Sequence, residues 1–346
     1  MVKKGLALGI TAFVISNLLV NTAYVLVVTE SNERIKNDII VDDQEIISDK
    51  FLYYHGIKIS WLEEAGFRIT SGDLVVYLDP YEVSSDAKKA DIVICTHHHG
   101  EHFSLTDVIR VRDSNTSLYT PEPNLSVDGI GPTRSEILSY EFRNVTFVEP
   151  GMVVNHSGII LEFVPAYNVY KDNPQTGQPW HPRWANWVGV IVEIGGTRIY
   201  HAGDSEHIPE MEQINCDIFL APIGGVAVMT PQEGAEAVES LNITSDLKYA
   251  IPMHYTYYPI STAFSPAVEF AAKANCTVVI LKPEWAIETH TTDSSMVTAT
   301  TEISQLTSNG QSSHSSTPIT TSGLGLGIAT LSIVFIIHST RKKSLK

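Results

Sequence analysis

Short runs in which apolar and polar residues alternate begin at Gly56 and predict a series of half-buried strands. Three of these runs cover residues 57–62, 66–70 and 74–78. The segment 71–73, Ser-Gly-Asp, predicts a turn between the last two. The runs are therefore expected to form successive antiparallel strands.

Further strands are predicted by apolar runs later in the chain, and the continuous apolar run within 217–222 predicts a buried strand. These runs cover residues 91–95, 144–148, 159–164, 188–194, 197–200, 217–222, 249–253 and 277–281. Gly195-Gly196 predicts a hairpin turn between two of them.

Helices are predicted between these strands from their N-terminal signals. Thr230, Pro231 and Glu233 combine an N-cap, a first-position proline and a capping-box acid. Ser104, with Asp107 three residues later, predicts a short helix after the strand at 91–95. Two more helices are predicted over residues 129–141 and 265–275.

Two apolar segments bracket this region and predict membrane segments at both ends. Lys3 and Lys4 precede an apolar run over 5–28, which is either a secretory signal or an uncleaved anchor, because a span needs ~20 apolar residues. A second run ends just before Arg341-Lys342-Lys343. With basic residues at both outer ends, the intervening chain is expected outside the cytoplasm. The predicted regions are 1–30 (signal peptide or N-terminal membrane anchor), 31–55 (polar stalk), 56–290 (folded domain), 291–322 (Ser/Thr-rich disordered linker), 323–339 (transmembrane segment) and 340–346 (basic cytoplasmic tail).

The composition of the chain limits the partners and the cysteine sites that are expected. The 346 residues carry a formal net charge of −16, which argues against binding nucleic acid through its phosphates. The three cysteines have no CxxC spacing, so neither a disulfide framework nor a cysteine zinc site is expected. Six acceptor sequons predict an exported glycoprotein, although a chain rich in Asn, Ser and Thr also produces sequons by composition alone. They begin at Asn115, Asn124, Asn144, Asn155, Asn242 and Asn275.

Five of the predicted strands end in polar residues that suit a metal site. One is followed by Thr-His-His-His-Gly-Glu-His over 96–102. Alternate residues of an extended segment point the same way, so His97, His99 and Glu101 are expected to converge, with His102 facing a neighbouring position. A solvated histidine-rich loop is the alternative interpretation. The other strand ends carry Asp79, Asn168, Asp204 and His254, and ligands commonly bind beyond strand ends in α/β folds.

These residues resemble the motifs of the metallo-β-lactamase superfamily. The resemblance lies in Leu78-Asp79-Pro80, in the 96–102 tract, in Ala202-Gly203-Asp204 and in Pro252-Met253-His254-Tyr255. The stretches 165–168 and 199–204 look like the zinc-dependent hydrolase branch related to ascorbate-lactone hydrolases. The resemblance covers roughly residues 56–285. It implies an α/β fold, a four-layer αββα sandwich, here flanked by the N- and C-terminal membrane segments.

The resemblance also implies a ligand set. By position, His97 and His99 would bind a first metal. His102 and His254 would bind a second, and Asp204 would bridge the two. The implied cofactor is one or two Zn²⁺, and a hydroxide between the metals is the implied nucleophile, because metals lower the pKa of bound water to about 7.

Two residues depart from the family pattern. Glu101 stands where the family usually has Asp, and its longer side chain would either bind the second metal differently or act as a base. Asn168 stands where the family usually has His, and either its carbonyl oxygen or the imidazole of His181 would complete the first ligand set. An oxygen-richer set would favour Mn²⁺ or Fe²⁺.

Other residues are predicted around the metals. Asp79 would orient a ligand imidazole through its second nitrogen, and His201 would either support the ligands or face substrate. Trp180, Trp184 and Tyr255 are candidates to line the substrate site, since an aromatic loop of this length is typical of a lid or wall.

The leading functional hypothesis is a surface-tethered, metal-dependent hydrolase of a small-molecule or lipid-like substrate, with Glu101 and Asp204 in catalytic roles. Lactone, ester, amide and phosphodiester bonds all suit this chemistry. The alternative is a non-catalytic surface binding protein that retains the fold, which Glu101 and Asn168 favour. Activity on generic substrates, compared with that of Asp204→Ala, discriminates the two.

Overall fold

The computed structural model describes residues 39–42, 45–124, 127, 131–256, 265–284 and 336–337 of the chain. These residues form a domain with two large mixed sheets and one small hairpin. Its strands are β1 (Ile39–Asp42), β2 (Glu45–Ile47), β3 (Phe51–Tyr54), β4 (Ile57–Trp61), β5 (Phe67–Ser71), β6 (Leu74–Leu78), β7 (Ile92–Ile94), β8 (Ser117–Pro121), β9 (Asn144–Val148), β10 (Val153–His156), β11 (Ile159–Pro165), β12 (Asp172–Asn173), β13 (Gln178–Pro179), β14 (Val188–Ile194), β15 (Thr197–His201), β16 (Ile218–Pro222), β17 (Tyr249–Met253), β18 (Thr277–Val279) and β19 (Ile336–Ile337). Its α-helices are α1 (Leu105–Val111), α2 (Arg134–Ser139), α3 (Pro231–Leu241) and α4 (Pro266–Lys273), and 3-10 turns cover Arg183–Ala185 and Pro209–Gln213.

The first sheet contains β1 to β9 in chain order. Its early strands, up to β6, pair antiparallel, whereas β6 to β9 pair parallel. The change of direction follows from the connections, since tight turns join antiparallel strands and longer crossovers join parallel ones. The carboxyl ends of β6 and β7 therefore meet at one edge.

The second sheet has the order β10, β11, β14 to β19. The hairpin between β14 and β15 turns at the predicted Gly195-Gly196, and β15, β16, β17 and β18 then run parallel. As in the first sheet, the carboxyl ends of the parallel strands come together at one edge. The small β12–β13 hairpin lies within the long loop between β11 and β14.

Alternation of side chains along the strands separates two hydrophobic cores. In β6 and β7, Val76 and Ile94 belong to the large core shared by both sheets, whereas Tyr77 and Val93 belong to a second core with α1 and α2. Helices α3 and α4 contribute Val238, Phe270 and neighbouring residues to the large core on the side of the second sheet. The layers are therefore helix, sheet, sheet and helix, in agreement with the predicted αββα arrangement.

The predicted helix signals are present. Thr230 and Glu233 form a reciprocal capping box at α3, and the Ser104 hydroxyl accepts a hydrogen bond from the Asp107 backbone at α1. The helix predicted over 129–141 is shorter, because its capping box lies at Thr133 and Glu136 and the helix begins only at Arg134.

The stretch 31–55, predicted as a polar stalk, instead contains three strands of the first sheet in its described part, β1 to β3. Alternate apolar side chains explain the difference, since Ile47, Leu52 and Tyr54 are buried in the large core. The acidic residues around them obscured this period of two in the sequence.

Among the described residues, no helix is long and apolar enough to cross a membrane. The predicted segment 1–30 lies outside the described residues, as do the linker 291–322 and the tail 340–346. Of the predicted segment 323–339, only Ile336–Ile337 is described, and it pairs with β18 as β19.

Candidate metal centre

The polar residues predicted at strand ends meet where the carboxyl edges of the two sheets face each other. Asp79 follows β6 and the 96–102 tract follows β7 in the first sheet. Asp204 follows β15 and His254 follows β17 in the second. The centre is thus assembled from both sheets, and neither sheet supplies a complete set of ligands.

Four side chains form a first cluster. The ligand atoms of His97, His99, His181 and Asp204 all lie within 4.8 Å of one another. His97 Nε2 lies 3.0 Å from His99 Nδ1, and His181 Nε2 lies 3.4 Å from Asp204 Oδ2. Three of the four side chains are buried, and His99 is partly buried.

Glu101, His102 and His254 form a second cluster, whose ligand atoms also lie within 4.8 Å of one another. Asp204 is adjacent to this cluster too. Its Oδ1 lies 3.3 Å from His102 Nε2, and its Oδ2 lies 3.1 Å from His254 Nε2. The carboxylate of Asp204 therefore lies between the two clusters, where a bridging ligand would be.

The unpaired polar atoms of the centre fit a metal ion. His102 Nε2, His254 Nε2 and Asp204 Oδ1 are buried and have no hydrogen-bond partner among the described residues. Buried polar atoms without partners are costly and rare in native proteins. A tetrahedral ion with bonds of ~2.0–2.1 Å brings its ligand atoms to roughly 3.3 Å from one another, and the separations around Asp204 are 3.1–3.4 Å. The donor set and its spacing therefore suit divalent cations.

Asp79 fixes the orientation of His102. Its Oδ2 accepts a hydrogen bond from His102 Nδ1 at 2.7 Å and another from the Thr96 hydroxyl at 2.7 Å, while Oδ1 accepts from the Thr96 backbone N–H at 2.7 Å. With one proton held on Nδ1, Nε2 of His102 faces Asp204 and is the nitrogen that a metal ion would bind. Thr96 Oγ1 lies 3.1 Å from Nδ1 of His97 and serves that ring in the same way.

Asn168 lies behind His181. Its Oδ1 accepts hydrogen bonds from the backbone N–H and from Nδ1 of His181, each at 2.8 Å, and its Nδ2 donates to the Ala227 carbonyl at 2.7 Å. The structure therefore places the imidazole of His181 in the first cluster, with Asn168 orienting it. The predicted alternative, Asn168 as a metal ligand, does not fit this geometry, because its side-chain oxygen accepts two hydrogen bonds from His181.

Electrostatics differ between the two clusters. Burial, with the neighbouring imidazoles, lowers the pKa of His97 well below its usual value, and burial lowers the pKa of His181 to about 3. Burial acts in the same direction on His102 and His254, but nearby carboxylates outweigh it and raise the pKa of both rings. These carboxylates are Asp204 and Asp79 for His102, and chiefly Asp204 for His254. Burial alone would raise the pKa of Asp204, yet the two imidazoles hold it well below its usual range. The second cluster thus retains protons that a cation would displace.

The backbone at the centre adopts conformations that are unusual for non-glycine residues. Asp79 has φ of 43° and His254 has φ of 56°. Left-handed conformations of this kind cost energy and persist where surrounding structure fixes them. Gly203 (φ 59°) is needed beside Asp204, because a Cβ there would lie 2.8 Å from the Val188 carbonyl oxygen.

Of the aromatic residues predicted to line the substrate site, Tyr255 lies elsewhere in the structure. Tyr255 is 1% exposed and stacks on Trp61 with ring centroids 5.4 Å apart, so it belongs to the core and not to the mouth of the site. Trp180 is half-buried, and Trp184 is 58% exposed. The tryptophan that contacts the ligand rings is Trp187, with its ring centroid 4.8 Å from that of His97.

His201 supports the ligands and does not reach a substrate, because it is fully buried. Its Nε2 donates to the Ala65 carbonyl at 2.8 Å, and its Nδ1 accepts from the Gly203 backbone N–H at 3.0 Å. The ring thereby fixes the turn that carries Asp204.

Glu64, which no sequence pattern singled out, has its Oε2 3.7 Å from Nδ1 of His254. Its place at the site follows only from the register of the strands. Trp61 pairs with Phe67, and Phe67 pairs with Leu78, so the turn over 62–66 lies at the same sheet edge as Asp79.

Comparisons with known proteins agree with this architecture. The family profile described as the beta-lactamase superfamily domain matches residues 58–254, more than half of the chain. A UPF0173 metal-dependent hydrolase from Archaeoglobus fulgidus is 30% identical over 241 residues, covering 66% of this chain and 96% of the relative. Another, from Pelotomaculum thermopropionicum, is 30% identical over 251 residues, covering 67% of this chain and 100% of the relative. A crystal structure from Parabacteroides distasonis has a TM-score of 0.53 and 24% identity, covering 70% of this chain and 99% of that one, and shows the same fold.

Proposed function

We propose that the chain, which belongs to the UPF0173 family of metal-dependent hydrolases in the beta-lactamase superfamily, uses this centre to hydrolyse a lactone, ester, amide or phosphodiester bond with water. The observation that carries the proposal is the position of Asp204. Its two oxygens lie 3.1–3.4 Å from imidazole nitrogens of both clusters. One carboxylate shared in this way suits a pair of cations that would otherwise repel each other.

The side chains of the centre have separate roles in this proposal. His97, His99 and His181 would hold one cation, with Glu101, His102 and His254 at the other and Asp204 between them. When bound, divalent metals lower the pKa of water and polarise the bond to be cleaved. Glu101 is half-buried whereas Asp204 is buried, so Glu101 is the carboxylate of the two clusters that solvent can reach. Hydrogen bonds from the Nδ1 atoms of His102 and His181 to Asp79 and Asn168, respectively, fix the orientation of these two rings.

We propose zinc as the metal. Five of the seven side chains in the two clusters are imidazoles, and two are carboxylates. Imidazole with carboxylate is the ligand set of catalytic zinc sites, whereas Mn²⁺ prefers oxygen ligands. The place of His181 in the first cluster supports this, because it restores a nitrogen ligand where Asn168 would have supplied oxygen.

The exposed apolar residues around the loops of the site support a substrate with an apolar arm, lipid-like or otherwise amphipathic. Val169 and Tyr170, directly after Asn168, are 40% and 85% exposed. Trp184, on the 3-10 turn after His181, is 58% exposed, and Val226 is 71% exposed. Large apolar side chains exposed together commonly mark binding surfaces. Lactones with an apolar arm are therefore the first substrates to test, since stretches 165–168 and 199–204 resemble ascorbate-lactone hydrolases in sequence.

We also propose that the domain is tethered to a membrane on its outer side. The apolar runs within 1–30 and 323–339 support this, because Lys3-Lys4 precede the first and Arg341-Lys342-Lys343 follow the second, and the sequons agree. Asn115, Asn144 and Asn155 are exposed, as glycan acceptors must be. Protease digestion of intact cells tests the proposal, and protection of the domain until the cells are permeabilised would contradict it.

The function is tested on the full chain, purified in detergent. We expect one to two equivalents of divalent metal by mass spectrometry and hydrolysis of generic lactones, esters or bis-aryl phosphodiesters. Asp204→Ala should abolish the hydrolysis, whereas Asp73→Asn, an exposed turn residue, should not change it. Less than about one equivalent of metal, unchanged in His97→Ala, would overturn the metal-dependent function. Bound metal without turnover of any substrate class would favour the non-catalytic binding protein.

A further inference from the structure

Glu64 is a carboxylate that lies at the ring nitrogen of His254 that does not face Asp204. His254 Nε2 is 3.1 Å from Asp204 Oδ2, and His254 Nδ1 is 3.7 Å from Glu64 Oε2. The Glu64 side chain is 13% exposed, and its Oε2 is buried without a hydrogen-bond partner among the described residues. At 3.7 Å this oxygen makes no hydrogen bond to the imidazole, but it lies within ion-pair distance of the ring.

The position of Glu64 is fixed by its own turn. The backbone N–H of His254 donates to the Glu64 carbonyl at 2.9 Å, and Trp61 Nε1 donates to the same oxygen at 2.9 Å. The Thr256 hydroxyl donates to Glu64 Oε1. Glu64 itself has φ of 45°, a conformation that these contacts hold in place. These contacts therefore hold the Glu64 carboxylate beside His254 in a fixed orientation.

The groups that lie next to Nδ1 of the ligand imidazoles differ between the two clusters. In the first cluster the rings of His97 and His181 are hydrogen-bonded to neutral oxygens, the Thr96 hydroxyl and the Asn168 amide. In the second cluster both rings face carboxylates. Asp79 lies behind His102, at 2.7 Å, and Glu64 lies behind His254.

We propose that Glu64 positions His254 and, together with Asp79, makes the Glu101–His102–His254 side of the centre the one that binds metal first. This inference rests on the proposed function, because it presumes that the two clusters bind metal. A carboxylate behind a ligand imidazole fixes its tautomer and raises its basicity. The second cluster also has Glu101 and two supporting carboxylates, whereas the first has only the shared Asp204, so the attraction for a divalent cation is greater on that side.

The order of binding is tested by titrating the metal-free full chain with Zn²⁺ against a chromophoric chelator, in mild detergent. The chelator reports affinity directly, so no substrate is required. His254→Ala and His181→Ala remove one ligand from the second and the first cluster, respectively. We expect His254→Ala to lose the tighter equivalent, and His181→Ala to keep it.

Glu64→Gln isolates the contribution of the carboxylate. Glutamine keeps the size of the side chain and an oxygen for the Thr256 hydroxyl, but removes the charge that faces His254. We expect the affinity of the tighter equivalent to fall about 10- to 100-fold, the range seen when a partner behind a metal ligand is lost. The affinity of the weaker equivalent should change little. Glu63→Gln, which removes a charge from the neighbouring position of the same turn, should leave both affinities close to those of the wild type.

The outcomes separate the inference from the function. If the wild type binds zinc and Glu64→Gln matches Glu63→Gln, the role of Glu64 is overturned while the metal-dependent function stands. If His181→Ala loses the tighter equivalent, the proposed order is reversed and the inference fails. No zinc binding by the wild type overturns both. If Glu64→Gln does not fold, as judged by circular dichroism, the two histidine variants still decide the order.

Discussion

Replacing Asp79 with asparagine tests how far the centre depends on a single buried carboxylate. Asp79 is fully buried and accepts three hydrogen bonds, from the Thr96 backbone N–H, the Thr96 hydroxyl and His102 Nδ1, each at 2.7 Å. Asparagine has nearly the same volume, so the substitution changes hydrogen bonding and charge with little effect on packing.

The geometry allows the cost to be worked out. If the amide oxygen takes the position of Oδ2, it keeps the Thr96 hydroxyl and His102, but the amide nitrogen then faces the Thr96 backbone N–H. One buried donor is left without an acceptor, which costs about 1–3 kcal/mol. The two remaining bonds lose their charge assistance, roughly 1 kcal/mol each. The opposite flip leaves two donors facing the amide nitrogen. We therefore expect the free energy of unfolding to fall by about 3–5 kcal/mol.

The measurement is urea unfolding of the metal-free chain followed by tryptophan fluorescence, together with zinc affinity from chelator competition. We expect a zinc affinity 10- to 100-fold lower as well, because the His102 ring loses its orienting partner. Asp73→Asn, at an exposed turn, is the matched control and should change neither quantity. A loss below about 1 kcal/mol with unchanged zinc affinity would refute the reasoning, because the three bonds of Asp79 would then contribute little.

Three further predictions concern the backbone next to Asp204, the three buried thiols of the domain and the protons of the metal centre. Gly203→Ala should destabilise the fold more than Gly195→Ala, since both glycines have φ of 59° but only at Gly203 would a Cβ meet another group, the Val188 carbonyl at 2.8 Å; equal melting temperatures for the two variants would contradict this. Burial raises the pKa of all three thiols, those of Cys95, Cys216 (about 12) and Cys276 (about 12). None should therefore react with a thiol reagent at pH 8 until the protein unfolds, and labelling of the folded chain would contradict this. The pKa values of His102 and His254 are raised, against burial, by Asp204 and, at His102, also by Asp79, so a metal ion should displace protons and its affinity should rise with pH up to those values. Calorimetric heats of zinc binding that do not depend on the buffer's ionisation enthalpy would refute this.

The ligands from the 96–102 tract, together with Asp204 and His254, could be predicted from the sequence because the tract begins two residues after β7, and Asp204 and His254 lie within three residues of the ends of β15 and β17. Strand ends are recognisable from local apolar runs, and the carboxyl ends of parallel strands gather at one edge. The helix caps at Ser104 and Thr230 are also local signals, and the structure contains both.

Contacts that depend on register or on a long loop could not be predicted in the same way. Glu64 approaches His254 only because pairing of β4, β5 and β6 brings the turn over 62–66 beside Asp79. His181 reaches the first cluster through a loop of more than twenty residues, and its choice over Asn168 as the ligand depends on two hydrogen bonds between them. Tyr255 was expected at the mouth from its position next to His254, but stacking on Trp61 draws it into the core.

The turn over 62–66 joins the two halves of the centre, which explains how ligands from separate sheets can be held in register. It belongs to the first sheet, and Leu62 N–H donates to the Gly66 carbonyl at 2.8 Å to close it. Its carbonyl oxygens accept hydrogen bonds from the second sheet's metal-site segments, Glu64 from the His254 backbone at 2.9 Å and Ala65 from His201 at 2.8 Å. Because His201 in turn accepts from the residue before Asp204, the second sheet's ligands are anchored to the first sheet by backbone oxygens whose positions do not depend on a bound cation. The geometry around Asp204 is therefore preorganised for metal, and the side chains of the turn, Glu64 above all, are where its affinity can be tuned without altering a ligand.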